Sequence, residues 1–166
     1  MKLFLQINTQ EDCIKLQDDL NRFTTWFEAL GLSLNISKCQ VMFFTRSKSS
    51  IIHYYFISDS NLTGVYDTDI DLGIKFNASL DPRPHIDMIC CKALKVLSFI
   101  TRIASDFKLK LVIKALFCTL VHPILEYGAI IWNPHTANDS CLVERVQRRF
   151  LRFAGFVLDI PHPQHE

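Results

Sequence analysis

The chain has 166 residues, of which 49% are hydrophobic and 21% are charged, and this balance excludes wholesale disorder because a core can be built. The formal net charge is +1, but it is unevenly distributed: residues 1–81 carry seven Lys/Arg against ten Asp/Glu (7 − 10 = −3), and residues 82–166 carry eleven against seven (11 − 7 = +4). The second half is therefore the better candidate for binding a polyanion.

The chain opens with a segment, residues 2–7, that predicts a short strand, and a strand at this point suggests a truncated domain. A helix is predicted over Thr9–Leu30, because Thr9 and Asp12 can form a capping box and Gly31 is well placed to end it. Its apolar residues recur at steps of three and four and form one stripe: Cys13, Leu16, Leu20, Phe23, Phe27 and Leu30.

Four later segments of the first half predict β-strands. Residues 32–36 and Val41–Thr45 predict a pair of strands around a turn at residues 35–38. Ile51–Ile57 is rich in aromatic and β-branched residues. From Ile70 to Phe76, apolar and polar residues alternate, which predicts a half-buried strand.

After Asp81 the apolar period becomes helical, and no further strand is predicted. The predicted helices cover Ile86–Ile103, Lys108–Val121, Pro123–Trp132 and a last segment from a cap at Asn138 or Asp139 to about Phe153. The fold class is therefore α+β, with a mixed region over residues 1–81, an all-helical region over residues 82–157 and a tail over residues 158–166.

The last predicted helix carries a stripe of arginines at positions i, i+3, i+4 and i+7: Arg145, Arg148, Arg149 and Arg152. Arginine offers a planar fork that suits phosphate, so the stripe predicts nucleic-acid binding. The alternative is a solvated face that Glu144 partly neutralises. A second basic patch is predicted at Lys108, Lys110 and Lys114.

No metal site or cofactor is predicted for this chain. Cys118 and His122 could face one way on a helix, but they are two ligands where zinc takes four. Asp67, Asp69 and Asp71 alternate and could gather a cation, although a bare acidic strand face is the commoner arrangement.

The six cysteines form no CxxC pair, which favours a reduced intracellular protein in the cytoplasm or nucleus. The N-terminal apolar run is too short for a signal peptide. The most apolar stretch, Leu109–Trp132, is interrupted by charges and a proline, so a membrane span is not expected.

Five segments, in order and over nearly the whole chain, resemble parts of the reverse transcriptases of non-LTR retrotransposons, with a jockey-like character. They are LQDDLNRFTTWFEALGLSLNISKCQVMFFTR, DLGIKFNASL, HIDMICCKALKVLSFITR, LVHPILEYGAIIWNP and ERVQRRFLRF. The resemblance implies an incomplete palm, with antiparallel strands, one helix and a primer-grip-like hairpin, followed by a helical thumb.

In that family, two metal-binding aspartates immediately precede a segment similar to Lys2–Ile7, so Mg²⁺ is expected only for the full-length enzyme. Lys38 matches a family lysine thought to stand near the departing pyrophosphate, where an ammonium could act as the leaving-group acid. A solvated turn lysine is the alternative. Asp71, Leu72 and Gly73 match the region that approaches the primer 3′ end.

These observations predict a truncated RNA-directed DNA polymerase, a nucleotidyltransferase of a mobile element, that is inactive alone and at most binds a primer–template duplex. A missing N-terminal polymerase half is the expected partner. The alternative is a degenerate remnant that acts as a protein-interaction module, with Leu3, Leu5 and Ile7 on an unprotected strand edge. A remnant without function is the third hypothesis.

Overall fold

The computed structural model describes residues 2–47, 51–106 and 112–158, and it has the α+β character that the sequence predicts. The chain divides into two compact units. The first comprises Met1–Asp69 and Asn77–Leu80, and the second comprises Ile70–Phe76 and Asp81–Glu166.

Helix α1 of the first unit spans Gln10–Ala29, which confirms the predicted helix. The Asp12 carboxylate accepts the backbone N–H groups of Asn8 at 3.0 Å and Thr9 at 2.9 Å, and these bonds lower the pKa of Asp12 to about 2. Gly31 follows with a φ of 71°, as a helix end requires. Of the predicted stripe, Cys13 is buried, Leu30 is exposed, and the others are half-buried.

The strands of the first unit are short. A 3₁₀ turn at Ile36–Lys38 precedes β1 (Gln40–Met42), and β2 (Phe56–Ile57), β3 (Ser60–Asn61) and β4 (Thr63–Val65) follow. β1 pairs in parallel with β4, and β2 pairs antiparallel with β3.

Four strand predictions in this unit were wrong wholly or in part. Of the predicted strand Val41–Thr45, Val41 and Met42 alone are strand, because β1 ends at Met42. Residues 2–7 form no strand, since no described segment pairs with them in a sheet. Residues 32–36 do not pair with β1, because the chain closes into the 3₁₀ turn and β1 takes its partner from further along the sequence. Of Ile51–Ile57, the last two residues alone are strand.

The alternating segment predicted as one strand is a hairpin of β5 (Thr68–Asp71) and β6 (Ile74–Asn77). Its two turn residues, Leu72 and Gly73, have φ angles of 48° and 82°. Positive φ at both positions gives the twist that a two-residue hairpin needs.

The second unit contains the helices α2 (Arg83–Asp106), α3 (Ile113–Leu116), a π-helical turn (Phe117–Val121), α4 (His122–Glu126), α5 (Ala129–Trp132) and α6 (Ala137–Leu158). The helices predicted around Ile86–Ile103 and at the end of the chain are confirmed. The helix predicted over residues 108–121 is described from Val112 onward, and it widens into the π turn before Pro123, which has no N–H to donate.

Two details of the helical prediction were wrong. The predicted helix over residues 123–132 is two helices, divided at Gly128, whose φ is 68°. Helix α6 is capped by Thr136 rather than by Asn138 or Asp139: the Thr136 hydroxyl accepts the Asp139 N–H at 3.2 Å and donates to the Asp139 carboxylate at 2.7 Å.

The core of the second unit is one cluster of buried side chains from α2, α3, the π turn, α4, α5 and α6. Within it, the rings of Phe117 and Phe150 stack with centroids 3.9 Å apart. The first turns of α2 and α6 are joined by an ion pair, in which Arg83 Nε lies 3.3 Å from the buried carboxylate of Asp139. The helices of this unit are therefore held by packing along their length and by a polar contact at their start.

Across the described ranges, no helix has both the length and the apolar character that crossing a membrane would require.

Candidate nucleic-acid interface

Helix α6 carries the four predicted arginines on its exposed side. At 3.6 residues per turn, Arg145, Arg149 and Arg152 fall within an arc of about 60°. The buried residues Val146 and Phe150 lie roughly a third of a turn away. The core therefore fixes the helix from one side and leaves the guanidinium groups facing solvent.

The four arginines are not equivalent in charge. Arg148 forms an ion pair with Glu144, one turn earlier on the helix. Within the described part of the chain, Arg145, Arg149 and Arg152 have no ion-pair partner. Three of the four charges thus remain available to an external anion, and the neutralisation by Glu144 that the sequence allowed applies to Arg148.

Sequence reasoning missed basic and aromatic residues that share this helical spacing. Phe156, which is 86% exposed, continues the side of α6 that carries Arg149 and Arg152. On α2, exposed Lys92, Lys95, Phe99 and Arg102 follow steps of three and four on the side opposite the buried stripe. A helical-wheel reading of residues 83–106 would have found this second stripe.

The second predicted basic patch is only partly described. Lys114 lies on α3 and is exposed, whereas Lys108 and Lys110 lie outside the described residues. The patch therefore adds one placed cation to the second unit.

The predicted primer-contact residues Asp71, Leu72 and Gly73 occupy the tip of the β5–β6 hairpin. The Tyr127 hydroxyl donates to the Leu72 carbonyl at 2.8 Å, and the Leu72 side chain is 76% exposed. A Cβ added to Gly73 would lie 3.4 Å from the Tyr127 ring. Gly73 thus serves the turn and its contact with Tyr127, and the primer contact stays a prediction.

Lys38 ends the 3₁₀ turn of the first unit with its side chain exposed. Its backbone N–H donates to the Asn35 carbonyl at 3.0 Å. The role as a leaving-group acid stays a prediction, as does the alternative of a solvated lysine.

The residues weighed for metal binding are not gathered into a site. Among the described residues, no group of three or more His, Cys, Asp or Glu side chains could hold an ion. The exposed Cys118 precedes His122, whose Nδ1 lies 3.2 Å from the Glu126 carboxylate. The His122 imidazole is thus accounted for by an ordinary contact with Glu126, one turn later on α4.

Comparisons with models of protein families, with curated proteins and with solved structures find no match to this chain.

Proposed function

We propose that the helical second unit binds duplex nucleic acid through the arginine stripe of α6, and that the chain is the palm-end and thumb portion of a reverse transcriptase of the non-LTR type. The observation that carries the duplex-binding proposal is the exposed arc of Arg145, Arg149 and Arg152 with no ion-pair partner in the described residues. The polymerase assignment rests on the resemblance of the sequence segments.

The dimensions of the stripe suit a phosphate backbone. Arg145 and Arg152 are seven residues apart, which is roughly 10 Å along a helix. Successive charges of one strand are spaced roughly 3.4 Å along the duplex axis, so the stripe matches about three of them. Contacts to phosphate alone position a duplex without reading its sequence, and binding should therefore be largely sequence-independent.

The test compares duplex binding by the wild-type chain and by a variant in which Arg145, Arg149 and Arg152 are all changed to Gln, measured by fluorescence anisotropy over a salt series. The slope of log K against log salt is negative, and each lost phosphate contact reduces its magnitude by roughly one, so the magnitude should fall by about three. Arg148→Gln should change it less, because Arg148 already pairs with Glu144.

A second control is Arg22→Gln on α1, an exposed arginine beside Asp19, which should leave the slope unchanged. If the wild-type chain binds no duplex even at low salt, the proposal is wrong. Self-association in that case would favour the alternative of a protein-interaction module. The strand edge that this alternative places at residues 2–7 is not formed, although Leu3 and Leu5 are exposed.

A further inference from the structure

The first unit contains a cleft of about 270 Å³ that borders β1 and β4. Its lining includes the aromatic side chains of Phe43, His53, Tyr55 and Tyr66 and the polar side chains of Asn61 and Thr63. Sites for drug-sized ligands run from roughly 300 to 1,000 Å³, so this cleft suits a smaller molecule, on the scale of one ring system.

Two of the rings that line the cleft stack with each other. Phe43 and Tyr66 are nearly parallel, with an interplanar angle of 11° and centroids 6.1 Å apart. Tyr55 is 3% exposed and meets His53 edge-on at 4.9 Å, whereas Tyr66 is 58% exposed. The cleft therefore has a buried inner ring and an accessible outer ring, and an accessible aromatic face favours a planar ligand that stacks.

The Tyr66 ring packs against Gly64, where the absence of a side chain leaves room for it. Strand pairing sets Gly64 opposite Val41. A Cβ at Gly64 would lie 2.8 Å from the Tyr66 hydroxyl, so any side chain there would displace that ring. The backbone of Gly64 is not in the left-handed region, and its lack of a side chain therefore serves space rather than conformation.

The polar groups that line the cleft are hydroxyl, amide and imidazole groups. Among the described residues that line it, none is Asp, Glu, Lys or Arg. The Gln10 amide lies 3.1 Å from His53 Nδ1, and with that amide nitrogen as the donor, His53 Nε2 carries the ring proton. Asn61 adds an amide that both donates and accepts. This lining suits an uncharged planar ring with hydrogen-bonding edges.

We propose that this cleft binds a single nucleobase, which stacks on the exposed ring of Tyr66, itself backed by Phe43. A cation held by the rings is the competing chemistry, but such a site gains from a nearby carboxylate, and the described lining offers none. The base could belong to a free nucleoside or to an unpaired position of a strand. The proposal does not depend on the arginine stripe, which lies in the other unit.

The test is calorimetric titration of the whole chain with adenosine, with a short oligodeoxyadenylate and with an abasic strand of equal length. Affinity for adenosine assigns the cleft to free bases, and a preference for the oligodeoxyadenylate over the abasic strand in addition assigns it to strand bases as well. Affinity for the oligodeoxyadenylate but not for adenosine or the abasic strand assigns it to strand bases. No affinity for adenosine, combined with equal affinity for the two strands or with no affinity for either, overturns the proposal.

Variants locate the binding. Tyr66→Ala should weaken base-dependent binding roughly 5- to 150-fold, as loss of one stacking ring does, and Tyr66→Phe should retain it. Gly64→Ala should also weaken it by displacing the ring, which keeps the test valid if Tyr66→Ala fails to fold. Phe4→Ala is the matched control, because Phe4 is an exposed ring of the same unit that does not line the cleft. Unchanged affinity in both Tyr66→Ala and Gly64→Ala, or displacement of adenosine by tetramethylammonium, would show that the assignment is wrong.

Discussion

The two units of this chain bury their apolar side chains to very different degrees. In the second unit, fourteen side chains form one buried cluster. In the described residues of the first unit, the buried apolar side chains are Cys13, Tyr55 and Ile57, whereas Phe4 is 93% exposed and Trp26 is 55% exposed. The second unit is thus held by packing, and the first depends more on local polar contacts.

The contact between α1 and β2 is an example of such a polar contact. The Gln17 amide donates to the Phe56 carbonyl at 2.9 Å and accepts the Phe56 N–H at 3.0 Å. Each bond contributes about 0.5–1.5 kcal/mol, less than the burial of one large apolar side chain. The comparison teaches that amphipathic helical signals in one sequence can lead to units that bury their apolar side chains to unequal degrees.

The largest effect on stability is expected when a core side chain is removed from the second unit, which tests whether packing stabilises this unit. Ile100 on α2 is 1% exposed, so Ile100→Ala should lower the free energy of unfolding by about 2–5 kcal/mol. Urea denaturation followed by Trp132 fluorescence in a Trp26→Phe background measures this unit, since Trp132 is part of its core. Leu151→Ala, at a position 64% exposed on α6, is the control, and an equal loss there would contradict the core assignment.

The features that the sequence predicted well depend on spacing along one helix. The arginine stripe and the apolar stripes of α1 and α2 require only 3.6 residues per turn, so they follow from the sequence without knowledge of tertiary contacts. The stripe of Lys92, Lys95 and Arg102 follows the same helical spacing, so it could also have been predicted from the sequence.

The features that were missed depend on contacts between distant residues. The parallel pair of β1 and β4 joins strands of three residues each, and Val41 meets Gly64 across more than twenty positions. Strands this short carry too little periodicity to specify a partner. The aromatic cleft follows from that pairing, so it could not be predicted either. At the hairpin, Leu72 adopts a positive φ that leucine rarely takes, which left Gly73 as the one turn signal.

The two helix-flanking glycines, Gly31 and Gly128, offer a matched comparison between the units. Their φ angles are 71° and 68°, so alanine at either position should cost about 1–2 kcal/mol for the left-handed backbone. A Cβ at Gly128 would also lie 2.7 Å from Ile74 Cδ1, whereas nothing lies within 4 Å of a Cβ at Gly31.

Gly128→Ala should therefore destabilise its unit by a further 1–3 kcal/mol or so, through overpacking. Chemical denaturation of both variants measures the difference, with Trp132 reporting on the second unit and Trp26, in a Trp132→Phe background, on the first. Equal losses at the two positions would mean that the Ile74 contact is relieved without cost.

The smallest effect concerns pH and distinguishes the units by a buried histidine. His85 in the first turn of α2 is 1% exposed, and its Nδ1 accepts the Lys75 N–H at 3.0 Å while its ring lies beside Trp132. Burial lowers the pKa of His85, so the folded state keeps the ring neutral. Protonation at Nδ1 would replace the acceptor of the Lys75 N–H with a second donor.

The direction of the pH dependence is set by the number of protons that His85 binds in the folded and in the unfolded chain. Below a pH of about 6.5, the unfolded chain binds a proton at His85 that the folded chain does not, so the free energy of unfolding should fall with falling pH by up to about 1.4 kcal/mol per unit. Above that pH the contribution of His85 is constant.

His85→Asn should flatten this dependence in denaturation curves between pH 5 and 8, because the amide oxygen can still accept the Lys75 N–H but does not titrate. The exposed His135, changed to Asn, should leave the dependence intact, and a slope that survives in His85→Asn would assign it to another group.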